Sequence, residues 1–170
     1  TWLIQTPALL EARCAVDAYI ELPKKLTVKQ NLEVYGRLYG VKNLNTRIKE
    51  ISEDLDIKNF FERKTGELSS GQKNRVSLAK SLINKPEILL LDEPTASLDP
   101  DIGDFIRSYV QEYRSKNQVT ILLASHNMNE VERLCDSIIM MKNGLLFVSR
   151  FSHLMQKNTS CVLGMRYVWF

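Results

Sequence analysis

The run Ile88-Leu89-Leu90-Leu91-Asp92-Glu93, set between Pro86 and Pro94, limits the possible folds more than any other stretch. Four consecutive aliphatic residues without polar alternation read as a strand buried on both faces of a parallel sheet. Parallel strands need helical crossovers, which makes the class α/β. Asp92 and Glu93 fall at the carboxyl end of the strand, the edge where open α/β sheets place ligands. Two acids there admit two readings. They are solvated residues at a strand end, or one supplies an oxygen to a divalent cation while the other orients a water.

The flanking segments supply the rest of such a sheet. Leu68-Ser69-Ser70-Gly71-Gln72 opens a helix running to about Asn84, with Val76, Ala79, Leu82 and Ile83 on one face. Serines and a glycine at a helix start present backbone N–H groups, hydroxyls and the positive end of the dipole. That arrangement suits an anion such as phosphate, and it also describes an ordinary serine-capped helix. Asp99-Pro100 is a second helix start, followed by the stripe Ile102, Phe105, Ile106, Tyr109 and Tyr113. Val119 to Ala124 is again apolar, so strand, covering helix and strand predict one right-handed βαβ unit. Ser125-His126 follows at the same sheet edge as Asp92 and Glu93. Residues 128–135 predict a short helix with Val131, Leu134 and Cys135 facing inward. Ser137 to Met141 predicts a third buried strand, and Lys142-Asn143-Gly144 a hairpin turn that pairs residues 145–149 back antiparallel. Ser152 is placed to cap a last short helix. Beyond about Asn158 no periodicity guides a placement.

Upstream, residues 24–65 are helical by period. Thr27 caps a helix whose face carries Leu32, Tyr35, Leu38 and Tyr39, and Gly40 closes it. Ile48, Ile51, Leu55 and Ile57 mark a second helix, with Phe60 and Phe61 beyond it. Tyr35, Tyr39, Phe60 and Phe61 are core residues or a docking surface, and aromatics at helical spacing usually pack inward. The 23 basic and 20 acidic residues are interspersed, and the net charge of +3 forces no nucleic-acid or membrane partner. Cys14, Cys135 and Cys161 lack metal-type spacing and fit a reducing compartment. No apolar run approaches the roughly 18 residues of a membrane span, and no secretory signal opens the chain.

Residues 24 to 150 resemble the nucleotide-binding domains of ABC (ATP-binding cassette) ATPases. Leu68 to Gln72 is similar to the signature motif, with Ser70 in place of a second glycine. Ile88 to Glu93 resembles the Walker B strand and its glutamate, Ser97-Leu98-Asp99 the D-loop, and His126 the histidine element. Gln5, after Trp2-Leu3-Ile4, resembles the Q-loop glutamine or is simply a terminal residue. The resemblance implies a P-loop NTPase-like (RecA-like) parallel sheet with an inserted helical subdomain. It divides the chain into a Q-loop-like segment (1–23), a helical subdomain with the signature (24–86), the remainder of the RecA-like core (87–150) and a tail (151–170).

The same resemblance implies ATP and Mg2+ as cofactors. Asp92 would hold magnesium and Glu93 would act on the water. His126 would meet the γ-phosphate, while Gln5, Ser69, Ser70, Gly71, Gln72 and Asp99 would serve nucleotide binding and coupling. The implied partners are a second nucleotide-binding domain, as homo- or heterodimer, and a transmembrane permease subunit, with no nucleic acid. The implied location is the cytoplasmic face of a membrane, and the spacing is similar to that of exporter-type bacterial subunits. None of the seven glycines precedes a lysine, so there is no Walker A motif in these residues. The resemblance therefore implies a chain that starts after Walker A, and negligible ATP hydrolysis by the chain alone.

In the family the Walker A strand lies between the histidine-motif strand and the strand resembling 137–141. That position is expected to be unfilled or improvised, with marginal stability and a tendency to associate. Two further readings compete: a non-catalytic ABC-like binding module, and an ABC ATPase outside transport. The coiled-coil insertions or basic stripe that would favour the latter are absent from the sequence.

Overall fold

The computed structural model describes residues 14–16, 22–96, 98–142, 145–150 and 161–166. In chain order they form β1 (Cys14–Val16), α1 (Val28–Leu38), α2 (Leu44–Asp54), α3 (Ser70–Leu82), β2 (Ile88–Asp92) and α4 (Pro100–Asn117). They continue with β3 (Thr120–Ala124), α5 (Met128–Leu134), β4 (Ser137–Lys142), β5 (Leu145–Arg150) and β6 (Cys161–Arg166). Trp2 to Gln5, Ser97, the Asn143-Gly144 turn and Ser152 lie outside the described residues.

The helical part forms where its caps and small residues predict. Thr27 accepts from the Gln30 amide while the Gln30 side chain accepts from the Thr27 amide, so two of the first-turn donors are satisfied reciprocally. Gly40, at φ +64°, takes the left-handed position after the helix end. Gly36 lets α2 close on α1, since a Cβ there would stand 2.1 Å from Leu44 Cδ1. Ile48 and Ile51 of α2 are buried, and so are Leu55 and Ile57 just beyond its end. The expected apolar face of α1 is narrower than its sequence suggests. Leu32 is buried, but Leu38 is 72% exposed and Tyr39 is exposed as well. The inward face instead carries Val28, Asn31, Leu32 and Gly36. Asn31 is tolerated there because its amide donates to the carbonyls of Pro23, Leu26 and Thr27, 3.0–3.4 Å away. Among the four aromatics, Phe60 is core, Phe61 packs at its margin, and Tyr35 lies 4.7 Å beneath the buried Lys80 ammonium.

The sheet has six strands in the order β1-β2-β3-β6-β4-β5. All neighbours are parallel except β4 and β5. That hairpin pairs Ser137–Lys142 with Leu145–Arg150, Lys142 facing Leu145, as the antiparallel expectation for residues 145–149 requires. Helix α4 links β2 to β3, and Arg114 ties its far end to the Leu134 carbonyl (2.7 Å) and to the Asp136 carboxylate (2.8 and 3.1 Å). The expectation that β2 and β3 are buried on both faces is corrected. Leu89, Leu91, Ile121 and Leu123 are sealed, whereas Leu90 is only partly covered and Leu122 is 40% exposed. The long apolar run reflects a central sheet position, but helices of the described residues close one face only.

Two strands form in segments without a clear period. β1 pairs in parallel with β2 (Cys14↔Ile88 to Val16↔Leu90). β6 lies between β3 and β4, parallel to both, through pairs such as Leu122↔Val162 and Ile138↔Leu163. The position expected to be unfilled or improvised is thus improvised: Cys161–Arg166 occupies it.

Candidate functional site

Parallel pairing of β2 with β3 sets the geometry. Asp92 is level with Ala124, so the next residues, Glu93 and Ser125-His126, leave the sheet side by side. The Glu93 amide donates to the Ala124 carbonyl at 2.8 Å, extending the ladder by one bond. Glu93 then turns back at φ +50°, a left-handed conformation costing a non-glycine residue about 1 kcal/mol. The turn aims its carboxylate at the neighbouring loop. Oε1 of Glu93 accepts from the His126 amide (2.9 Å) and lies 2.6 Å from His126 Nδ1, which therefore carries its proton on that side. Glu93 is 24% exposed and the His126 ring 81%. The hydrogen bond to Glu93, and secondly its charge, raise the His126 pKa above its ordinary value. Asp92 ends the strand with its side chain exposed to solvent.

Beneath this pair lies a polar cluster built on Glu130, a helical residue only 1% exposed. The Thr95 hydroxyl donates to Glu130 Oε1 (2.9 Å) and the Ser125 hydroxyl donates to Oε2 (2.6 Å). Sequence reasoning missed Glu130. The available signal was an acid at the start of the inward stripe Glu130, Val131, Leu134. Asn74 was also missed: from α3 it donates to the Pro94 carbonyl at 2.7 Å, tying that helix to the loop after Glu93.

The start of α3 is a closed unit. Ser69 is its N-cap and accepts from the Gln72 amide (3.2 Å), while Gln72 Oε1 accepts from the Ser69 amide (3.1 Å). Ser70 is exposed and Gly71 buried. A Cβ on Gly71 would lie 2.7 Å from Ile102 Cδ1, so the glycine lets α3 approach α4. Asp99 is the exposed N-cap residue of α4, and its carboxylate makes no cap bond. Among the described residues, no hydrogen bond joins Ser69–Gln72 or Asp99 to Asp92, Glu93 or His126. The structure thus brings Glu93 and His126 together, sets Asp92 beside them, and keeps Ser69–Gln72 as a separate helix cap. Gln5 is outside the described residues.

Residues 11–96 match the family model described as ABC transporter. The chain belongs to the ABC transporter family. The ABC ATP-binding proteins similar to it include NatA of Bacillus subtilis (strain 168), 36% identical over 145 residues, which are 83% of this chain and 58% of NatA. The methionine import ATP-binding protein MetN 1 of Bacillus cereus (strain ZK / E33L) is 36% identical over 152 residues, 86% of this chain and 44% of MetN 1. This ABC chain accordingly spans about half the length of the curated relatives it matches. Its fold is that of MJ1267, an ATP-binding cassette of an ABC transporter in its ADP conformation. The TM-score is 0.71 at 26% identity, covering 85% of this chain and 63% of MJ1267. The α/β class and P-loop NTPase type read from the sequence are therefore those of the molecule.

The ABC chain's sheet edge offers Mg2+ an exposed carboxylate, Asp92, at the end of β2. Among the described residues no group of three metal-type side chains converges. Magnesium seldom needs one, because it keeps several waters and binds through one or two carboxylates plus substrate phosphates. A single exposed Asp92 at a strand end fits that requirement. Among the described residues no helix is long and apolar enough to cross a membrane.

Proposed function

We propose that the chain is part of the ATP-binding subunit of an ABC transporter and supplies two half-sites. One is the strand edge bearing Asp92, Glu93 and His126, and the other is the α3 cap bearing Ser69, Ser70 and Gly71. The observation that carries this reading is the Glu93–His126 hydrogen bond at the edge where β2 delivers Asp92. In this reading Asp92 holds Mg2+, which screens phosphate charge when bound. Glu93 orients the attacking water and accepts its proton. His126, with Nδ1 committed to Glu93, offers Nε2 to the terminal phosphate oxygen. A protonated ring makes that contact charge-assisted, and the raised pKa favours it.

The second half-site serves a neighbour. The Ser69 oxygen is spent as an acceptor on the Gln72 amide, but its hydroxyl proton remains to donate to an anion. The amides of Ser70 and Gly71 stand at the same helix start. Gln72 supports this end through the capping box, Asp99 couples the two half-sites, and Gln5 reaches the magnesium. A second ATP-binding domain therefore faces α3, and a permease subunit meets the exposed end of α1 at Val34, Leu38 and Tyr39. That assembly puts the chain at the cytoplasmic face of a membrane, powering substrate transport. The boundaries 1–23, 24–86, 87–150 and 151–170 belong to the same proposal.

No glycine of these 170 residues precedes a lysine, so the phosphate loop has to come from outside them. Hydrolysis by the chain alone is then negligible, because positioning and charge neutralisation supply most of phosphoryl-transfer catalysis. A second reading, a signature-bearing module without catalysis, is favoured by one observation: β6 fills the sheet position between β3 and β4. One experiment addresses both. MgATP turnover and association are measured for the chain alone and after mixing with an ABC ATP-binding subunit that contains Walker A. Expected are no turnover alone and MgATP-dependent association in the mixture, weakened by Ser69→Ala. Turnover by the chain alone that disappears in Glu93→Gln overturns the external phosphate loop. A mixture that never associates overturns the half-site reading.

A further inference from the structure

Glu93 and His126 sit on two different loops, one after β2 and one after β3, and each loop also sends a hydroxyl inward. Thr95 lies two residues after Glu93 and Ser125 one residue before His126. Both hydroxyls end on the same side chain, Thr95 on Oε1 of Glu130 (2.9 Å) and Ser125 on Oε2 (2.6 Å). The other bonds of the two oxygens agree with this direction, hydroxyl to carboxylate. Ser125 Oγ already accepts from the Asn127 amide at 3.1 Å, and Thr95 Oγ1 accepts from Arg107 Nη1 at 3.4 Å. Neither of those bonds uses the hydroxyl proton, and Glu130 is the acceptor that takes both protons. Chains in which every oxygen accepts one bond and gives one bond polarise in the same sense and strengthen one another.

Burial makes the arrangement exacting. Glu130 is 1% exposed and Ser125 is 4% exposed, so water cannot replace either partner. The loop bearing Glu93 meanwhile holds a left-handed residue, a conformation that persists only where the surroundings over-determine it. The helix carrying Glu130 is short but well anchored: the Asn127 carbonyl accepts from the Glu130 and Val131 amides, and Val131 is fully buried.

We propose that Glu130 is the positioning residue of this edge, a buried carboxyl that bridges Thr95 and Ser125 and thereby holds Glu93 in register with His126. The inference deepens the nucleotide reading and rests on it for its meaning, since the pair being held is the one assigned to water and phosphate. Glu130 meets neither, so it acts through the two loops.

The test is residue-resolved amide exchange by NMR on the full chain, without nucleotide. The reporter is the His126 amide, which donates to Glu93, and the Glu93 amide, bonded to Ala124, is the reference. Thr95→Val removes one arm of the bridge and touches neither reporter. It is expected to speed His126 exchange by on the order of tenfold, the worth of about one hydrogen bond, and to shift the His126 ring resonances. Ser125→Ala does the same from the other arm. Glu130→Gln keeps the shape but can accept from only one hydroxyl, so it gives an intermediate effect, and adding Thr95→Val to it costs less than in the parent chain. Wild-type His126 exchange and ring shifts in Thr95→Val and Glu130→Gln, whatever their melting temperatures, overturn the proposal and leave Glu130 a packing residue. A separate arm adds MgATP to the parent chain mixed with the Walker A-bearing subunit. Unmoved Glu93 and His126 resonances there, with the Thr95→Val effect intact, sink the nucleotide reading while the positioning role stands.

Discussion

The start of α3 and the edge of β2 and β3 are both rich in polar groups, yet they spend them differently. At α3, Ser69 and Gln72 satisfy each other, and Gly71 is pressed against Ile102. At the strand edge, Asp92 is exposed, the His126 ring is almost wholly in solvent, and Glu93 holds a costly backbone angle to reach it. The first region stabilises the fold and has one hydroxyl proton and two amides left for a ligand. The second keeps Asp92 and the His126 ring outward. Substitutions in the first region are expected to register as unfolding, and those in the second as altered titration.

The largest effect is expected at Gly71. Gly71→Val forces methyl groups into the Ile102 side chain at a helix–helix contact, and overpacking of this kind costs about 1–3 kcal/mol. A lowered urea midpoint measures it, and an unchanged midpoint would mean that the glycine serves ligand access rather than packing. Next comes Ser69→Ala, which removes the cap acceptor for the Gln72 amide and should lower stability by about 1 kcal/mol. Stability loss here alongside weaker MgATP-dependent association shows both uses of one hydroxyl.

Glu93→Gln should be the smallest in stability and the clearest in titration. Removing the carboxylate removes the two largest causes that raise the His126 pKa and leaves the smaller one, the Glu130 charge, so its NMR midpoint falls towards the ordinary histidine value. The sign for stability follows. A histidine whose folded pKa is raised contributes stability below its unfolded pKa and loses it as pH rises through the folded value. The parent chain should therefore lose a small increment of stability across that interval, and Glu93→Gln should lose less. Equal pH dependence in the two would place the His126 proton elsewhere.

Much of this was legible in the sequence because the signals are local. Thr27 and Ser69 are caps that act within four residues. The runs Ile88–Leu91 and Ile121–Leu123 are dense enough to read as central strands. The levelling of Asp92 with Ala124 follows once those strands are parallel. The rest depends on distant partners. Cys161-Val-Leu-Gly-Met-Arg has a glycine in its middle and no clear alternation, and it pairs as a strand in the slot between β3 and β4. Leu38 has the right spacing to be core, but α1 ends before anything packs over it. Glu130 reads as one more charge on a surface helix until Thr95, 35 residues away, closes on it.

The interior place of β6 has a kinetic consequence. Among the described strands, the block β1-β2-β3 and the hairpin β4-β5 touch only through Cys161–Arg166. Its partners at Ile121–Leu123 precede it by about forty residues, a separation that makes the search slow. Loss of that segment is expected to leave two sheet fragments with open backbone edges, held together by side-chain contacts such as Arg114 with Asp136 and no longer by a continuous ladder.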